Sequence, residues 1–110
     1  MTVPIELSRV AALNDAFRLS PGQAWMVTSG VRAFGEDFPI AAVAAVTAFD
    51  DFDGGDDPWG EHDFGAMLVE GRRLLWKIDY YDLDLSGGSP DPADPAVTRR
   101  VLTLMLAEEY

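Results

Sequence analysis

The sequence predicts an α+β fold in which three helices cover a small, mostly antiparallel three-stranded sheet, in the order α-β-α-β-β-α. Three observations lead to this fold: helix-spaced apolar residues near the start, a period of two over residues 73–80, and a glycine turn between two strand-like segments. With 110 residues, 48% of them hydrophobic, we expect one domain over residues 1–110 with a modest core. The helices must then cover the apolar face of the sheet.

The first quarter of the chain contains one helix-like segment and one strand-like segment. In residues 4–19, Val10, Leu13 and Phe17 form a single apolar stripe at helical spacing, and a Ser-Pro-Gly sequence follows it. Residues 23–29 are few and rich in β-forming types, which predicts a strand. The place of this strand in the sheet is left open by the sequence.

Two further helices are expected where an aspartate lies close before a proline. Asp37 serves as the N-cap of an alanine-rich helix, with Pro39 in its first turn. Asp94 and Pro95 start the last helix by the same reasoning. The apolar stripe of that last helix consists of Val97, Val101, Leu104 and Met105.

The centre of the chain predicts a β-hairpin. Alternate residues from Leu74 to Tyr80 are apolar, and a period of two is typical of a strand with one buried face. Gly71 accepts the positive φ that a tight hairpin turn needs, so a two-residue turn at Glu70-Gly71 sets the register. Counting outward from this turn places Gly65 opposite Trp76. Trp76 is therefore expected to be a core anchor lying over the bare backbone of Gly65.

The same register places the only histidine, His62, opposite Asp79. A histidine and a carboxylate in contact either brace the hairpin through a hydrogen bond or act together in acid–base chemistry. Because one imidazole and one carboxylate do not make a metal site, we expect no metal and no other cofactor here. A bracing hydrogen bond is the simpler interpretation.

The charge of the chain is strongly uneven. Its net charge is −11, and residues 50–94 hold thirteen acids against three bases. Such a field repels nucleic acid and anionic membranes and attracts basic protein surfaces. Loops 50–58 and 82–94 leave the same end of the hairpin, so their carboxylates are expected to form one acidic surface. Its members are Asp50, Asp51, Asp53, Asp56, Asp57, Glu61, Asp82, Asp84, Asp91 and Asp94. Simple solubility is the alternative explanation of this charge.

Several kinds of site are excluded or not expected. Without cysteine, the chain forms neither disulfides nor thiolate zinc sites. The aspartate-rich segment fails as a calcium-binding EF-hand loop, because Phe52 and Gly54 occupy positions that require oxygen ligands. The sequence contains neither a Walker phosphate-binding loop nor the dinucleotide-binding motif G-x-G-x-x-G. The start of the sequence lacks the pattern of a secretion signal, and no apolar run has the length of a membrane span, so a cytoplasmic location is expected.

Four segments resemble a family of small bacterial proteins that is catalogued only as a domain of unknown function. They are residues 13–18 (LNDAFR), 57–65 (DPWGEHDFG), 76–82 (WKIDYYD) and 88–95 (GSPDPADP). Members of that family often lie on plasmids and other mobile elements, beside anti-restriction and replication genes. The resemblance implies this genomic context, and it brings no established activity and no site residue.

The context and the charge together favour one functional hypothesis. A compact protein with a −10 segment is expected to inhibit a host defence system, of the anti-CRISPR or anti-restriction type, without being an enzyme. Its partner would be the basic surface of a nucleic-acid-binding protein, with no direct binding of nucleic acid or membrane. One alternative is a housekeeping or antitoxin-like interaction module. A second is a small enzyme using His62 and nearby carboxylates.

Overall fold

A computed structural model of the chain describes residues 5–52, 55 and 57–110, and of residues 5–8 it describes the backbone alone. The fold is α+β, as the sequence predicts. Its elements are α1 (Ile5–Arg18), β1 (Trp25–Val27), α2 (Ser29–Arg32), α3 (Asp37–Thr47), β2 (Phe64–Val69), β3 (Arg72–Tyr81) and β4 (Arg99–Leu106). Short 3₁₀ turns, Pro95–Val97 and Ala107–Glu109, flank β4.

The sheet has four strands in the order β1-β4-β3-β2 and is mixed. Strand β3 lies between β2 and β4 and is antiparallel to both, whereas β1 runs parallel to β4. The expectation of three strands is therefore wrong in strand number. The place of β1, which the sequence left open, is beside β4, to which it runs parallel. The strand expected within residues 23–29 is confirmed, and it lies at one edge of the sheet.

The helix expected from Asp94 onward is wrong, because residues 99–106 form strand β4. Asp94 does cap a turn, since its side chain accepts a hydrogen bond from Ala96 N at 2.9 Å, but that turn ends at Val97. Leu102, Leu104 and Leu106 then lie buried and alternate with Val101, Thr103 and Met105. Pairing with strands on both sides satisfies the backbone of β4 and outweighs an apolar spacing that fits a helix equally well.

The predicted hairpin and its register are confirmed. Val69 lies opposite Arg72, and Gly65 lies opposite Trp76. At the turn, Glu70 has φ 50° and Gly71 has φ 80°, the conformation of a tight hairpin connection with two positive φ values. The long partner strand β3 thus carries Trp76 into the middle of the sheet.

The core lies between one face of the sheet and the helices. Trp76 is fully buried, and its indole meets the Phe49 ring edge to face, with 5.4 Å between the ring centroids. All three helices contribute side chains to this layer or pack against it. The buried residues are Val31, Phe38, Ala42, Val46, Val69, Leu74, Trp76, Ile78, Leu102, Leu104 and Leu106. A helix layer on one sheet face is the arrangement that the sequence predicts.

Replacement of Gly65 by alanine is expected to destabilise the fold by about 1–3 kcal/mol, the usual effect of overpacking. A Cβ at this position would press on the indole of Trp76 and lie 2.8 Å from Cζ of Phe49. Urea unfolding measures the change. Gly88→Ala is the matched control, because nothing lies within 4 Å of a Cβ added there. Equal stability of the two variants would contradict the close packing of Trp76 on Gly65.

Candidate functional site

Polar and titratable side chains meet where α1, the loop before β2 and the end of β3 come together. We call the group formed by His62, Asp15, Asp57 and Phe52 the His62 cluster. His62 Nδ1 lies 2.9 Å from Asp15 Oδ1, and His62 Nε2 lies 3.8 Å from Asp57 Oδ2. The imidazole stacks on the Phe52 ring, with 3.9 Å between the centroids and an interplanar angle of 4°. A carboxylate thus faces each ring nitrogen.

The backbone at His62 explains why its partner differs from the one expected. His62 has φ 57°, a left-handed conformation that takes it out of the strand alternation, and β2 begins only at Phe64. Asp57 Oδ1 accepts a hydrogen bond from His62 N at 3.1 Å, which holds this conformation. The expected His62–Asp79 pair is therefore wrong. Asp79 instead accepts from Lys77 Nζ at 2.6 Å.

A buried arginine, Arg18, contacts the His62 cluster through Asp15. Arg18 is 5% exposed, and it donates to Asp15 Oδ1 at 2.8 Å while Asp15 also contacts His62. Its other terminal nitrogen donates to Val46 O at 3.0 Å and to Phe49 O at 2.9 Å, where α3 ends. An arginine that binds the last carbonyls of a helix stabilises that end. Arg18 thereby joins α1, α3 and the His62 cluster.

A second buried network lies beside the first, around Asn14. This residue is fully buried, and its Nδ2 donates to Glu61 O at 2.9 Å and to Tyr80 Oη at 2.8 Å. Its Oδ1 accepts from Arg100 Nε at 2.7 Å. Tyr80 Oη donates in turn to Glu61 Oε2 at 2.9 Å. Burial raises the pKa of Tyr80, so its hydroxyl stays a donor at neutral pH.

The sequence reasoning missed Asn14, Arg18 and Arg100 as members of this region. Each is a single polar residue near the apolar stripe of a helix or at the start of a strand, where a solvent-facing position is the default. The segment LNDAFR, residues 13–18, carries a signal, because it places three polar residues beside the apolar Leu13 and Phe17 of the helix stripe. Its Asn14, Asp15 and Arg18 all make side-chain contacts in these networks.

Asp63 has an unusual titration because of where it lies. Burial and the neighbouring carboxylates Glu61, Asp57 and Asp79 raise its pKa to about 6, from the ordinary value of 3.8. Its backbone oxygen accepts from Ile78 N at 2.8 Å, which fixes the residue at the entrance to β2. A carboxyl group with a raised pKa disfavours the folded state once it ionises.

Removal of the Asp63 charge is expected to stabilise the protein near neutral pH. Below pH 3.8 the carboxyl is protonated in both the folded and unfolded states, and between pH 3.8 and about 6 the folded state holds the proton more tightly. The destabilising contribution therefore grows as pH rises through this window. Asp63→Asn should raise the melting temperature more at pH 7 than at pH 4, as followed by circular dichroism. An equal increase at both pH values would contradict this.

The ten residues predicted to form an acidic surface have different environments. Asp50, Asp51, Asp84 and Asp91 are exposed, and Glu61, Asp82 and Asp94 are partly buried. Asp57 does not belong to an exposed surface, since its side chain is 4% exposed and it caps the loop at His62. Asp53 and Asp56 lie outside the described residues. Whether loops 50–58 and 82–94 form one continuous patch stays a prediction.

Three carboxylates of the second acidic loop also organise its backbone. Asp82 Oδ1 accepts from Ser86 N at 3.0 Å, Asp91 Oδ1 from Ala93 N at 3.1 Å, and Asp94 Oδ1 from Ala96 N at 2.9 Å. The hydrogen bonds from Ser86 hold the pKa of Asp82 below its usual value. These three carboxylates therefore shape the loop.

Within the described part of the chain, no three histidine, cysteine or acidic side chains are placed to hold a metal ion. Over the same residues, no helix has the length and apolar character needed to cross a membrane. What the region offers chemically is a histidine between two carboxylates, a half-buried tyrosine and a concentration of negative charge.

Comparisons with known proteins add a family and no activity. No curated protein matches the chain. No solved structure matches it either. A family model described as "Protein of unknown function (DUF3768)" matches residues 27–109, which include every strand except the start of β1. The chain belongs to this family of proteins of unknown function.

Proposed function

We propose that the protein is a non-enzymatic inhibitor that presents a negative surface to a basic, nucleic-acid-binding protein. The observation that carries this proposal is the lack of internal neutralisation of its acidic surface. Among the described residues, the ion pairs of lysine and arginine are Arg18–Asp15 and Lys77–Asp79. Of the residues predicted to form the acidic surface, those described without an ion pair are Asp50, Asp51, Glu61, Asp82, Asp84, Asp91 and Asp94.

Two of the basic residues in this part of the fold, Arg100 and Arg72, make their contacts with uncharged groups. Arg100 donates to Asn14 Oδ1 and to the carbonyl of Pro92, so its hydrogen bonds go to neutral oxygens. Arg72 lies over the Phe34 ring, with its guanidinium carbon 3.6 Å from the centroid. The negative field of residues 50–94 is thus left available to an outside partner. Exposed carboxylates serve as substitutes for phosphates opposite lysine and arginine.

The setting we propose is a mobile genetic element of a bacterium, where such an inhibitor blocks a CRISPR or restriction nuclease by occupying its DNA-binding surface. The support for this setting is the genomic context that the resemblance of the four segments implies, together with the charge. A housekeeping or antitoxin-like interaction module would use the same surface on a different partner. Both versions require binding that depends on electrostatic attraction.

Reversal of three exposed charges should abolish partner binding with little loss of stability. Asp50, Asp51 and Asp84 are exposed and accept no side-chain hydrogen bond within the described residues, so Asp→Lys at all three leaves the fold intact. The matched control is Glu36→Lys, Glu70→Lys and Glu108→Lys, which changes the net charge equally at exposed positions elsewhere. The assay is competition with duplex DNA for a captured nuclease, repeated with rising salt.

The salt dependence and the control decide the result. Binding of the parent should weaken steeply past physiological salt, where the Debye length is about 8 Å. The control variant should retain most of the binding, because the location of the charge matters more than its total. Loss of binding in both variants would point to net charge alone. Full binding by the Asp50, Asp51 and Asp84 variant would overturn the proposal.

A second candidate function, acid–base catalysis, is favoured by one observation. His62 combines a left-handed backbone, a 2.9 Å contact with Asp15 and partial exposure, and strained residues with a histidine–carboxylate pair occur at active sites. However, both ring nitrogens already face carboxylates. The variant His62→Ala separates the two functions in an assay of the blocked nuclease. If the protein is an inhibitor, the variant still blocks the nuclease. If it is an enzyme that uses His62, the folded variant loses this effect.

A further inference from the structure

Among the described residues, strand β2 is an edge strand without the features that protect such edges from pairing. It lies at the end of the sheet, and its six residues, FGAMLV, include no charge and no proline. Proteins commonly protect a free edge with lysine, proline, a bulge or a covering segment. Leu68 is 70% exposed on this strand, and Ala66 is also exposed. An apolar, uncharged edge of this kind is a site of strand pairing.

The backbone groups of β2 that face away from β3 are available for pairing. Ile78 N donates to Asp63 O, so Asp63 and every second residue after it turn their backbone groups toward β3. The N–H and C=O groups of Phe64, Ala66 and Leu68 consequently point outward. No other described backbone group bonds to them. These three alternate residues thus offer backbone donors and acceptors at the edge of the sheet.

We propose that β2 pairs antiparallel with β2 of a second copy of this chain, extending the sheet across a two-fold axis. The register that fits places Ala66 opposite Ala66 of the second copy and Phe64 opposite its Leu68. Each outward group then has a partner, giving about six hydrogen bonds across the junction. A two-fold contact is self-complementary, so one strand supplies both sides.

The side chains in this register explain why a second copy fits. The exposed Leu68 of one chain contacts the half-buried Phe64 of the other, which covers apolar surface on the outer sheet face. Two chains of net charge −11 repel each other, so a stable contact must avoid opposing carboxylates. Phe64–Val69 meets that condition along its whole length. The groove of about 510 Å³ beside this strand is lined by Asp51 and Arg73 among apolar residues, and these two charges have opposite sign.

Measurement of molar mass by light scattering after size exclusion tests the pairing. The parent is expected to show twice the mass of one chain, and Leu68→Lys, which puts a charge on the free edge, should halve the mass. Met26→Lys is the matched control: Met26 is 60% exposed on the opposite edge strand, β1, and its variant should stay dimeric. Circular dichroism verifies that both variants are folded. A parent of single-chain mass, or a dimeric Leu68→Lys variant, would overturn the proposal.

A single introduced cysteine tests the register independently. The chain has no cysteine, so any cross-link in Ala66→Cys must join two copies. The proposed register brings the two Cβ atoms within about 5 Å, and a short bis-maleimide should therefore join them efficiently. Ala44→Cys, exposed on α3, serves as the control and should remain single. Equal cross-linking at both positions would contradict this register, and so would the absence of cross-linking at position 66. In the second case, the partner of the β2 edge would be a strand of a different protein.

Discussion

Trp76→Ala is expected to destabilise the protein by about 3–5 kcal/mol, enough to unfold a small domain or leave it marginally stable. The indole is fully buried at the centre of the sheet, over Gly65 and against the rings of Phe49 and Phe52. Truncation removes these contacts and leaves a cavity that strands held by hydrogen bonds on both sides cannot close. Thermal and urea unfolding, followed by circular dichroism, measure the loss.

Two further variants separate burial from other effects of tryptophan. The indole Nε1 has no hydrogen-bond partner in the described part of the chain, so Trp76→Phe loses volume but no hydrogen bond and should cost clearly less than Trp76→Ala. Trp59 is 70% exposed, and Trp59→Ala should leave stability nearly unchanged. A Trp76→Ala variant as stable as Trp59→Ala would mean that the inward face of β3 has been misassigned.

The hairpin could be predicted from sequence because its determinants are local. A glycine at the turn and a period of two on each side fix the register within a few residues of the turn. The pairing of Gly65 with Trp76 follows by counting, and the structure confirms it. The same counting fails at His62, because a single left-handed residue ends the alternation. That conformation depends on Asp57, whose side chain accepts a hydrogen bond from His62 N. The periodicity of the sequence does not reveal such a contact.

Strand β4 could not be predicted in the same way, because its stabilisation is non-local. It lies between β1 and β3, and its partner residues are far away in the sequence, such as Trp25 opposite Leu102. Its apolar residues fit both helical and strand spacing, so the local pattern alone leaves the choice open.

The helix α2 could not be predicted either, because it has only four residues and depends on a cap from Thr28.

The largest gap between sequence and structure at the candidate site concerns long-range polar contacts. Arg18 reaches carbonyls at Val46 and Phe49, about thirty residues along the chain. From sequence alone such an arginine is assigned to solvent, since arginine is seldom buried. The charge distribution, in contrast, is a property of composition, and it was available without any structure.

Arg18→Met is expected to lower the free energy of unfolding by about 1–3 kcal/mol, although methionine fills much of the same space. The substitution removes the guanidinium from the carbonyls of Val46 and Phe49, of which Val46 O keeps a bond from Phe49 N, and it removes the cation that Asp15 contacts. Arg18→Lys should recover only part of the loss, because a single ammonium does not reach all three oxygens in the fork geometry of a guanidinium. Chemical denaturation with intact m-values measures each change.

A matched variant on the same helix identifies what makes Arg18 special. Arg9 is exposed on α1, and Arg9→Met removes an equal charge without touching the core, so its effect should stay within about 0.5 kcal/mol. The Arg18 variant should also weaken the His62–Asp15 contact, because Asp15 loses the donor that orients it. The His62 ring resonances in an NMR spectrum should therefore shift in Arg18→Met and stay unchanged in Arg9→Met. Equal stability of the two variants would show that Arg18 is a surface group whose contacts contribute little to folding.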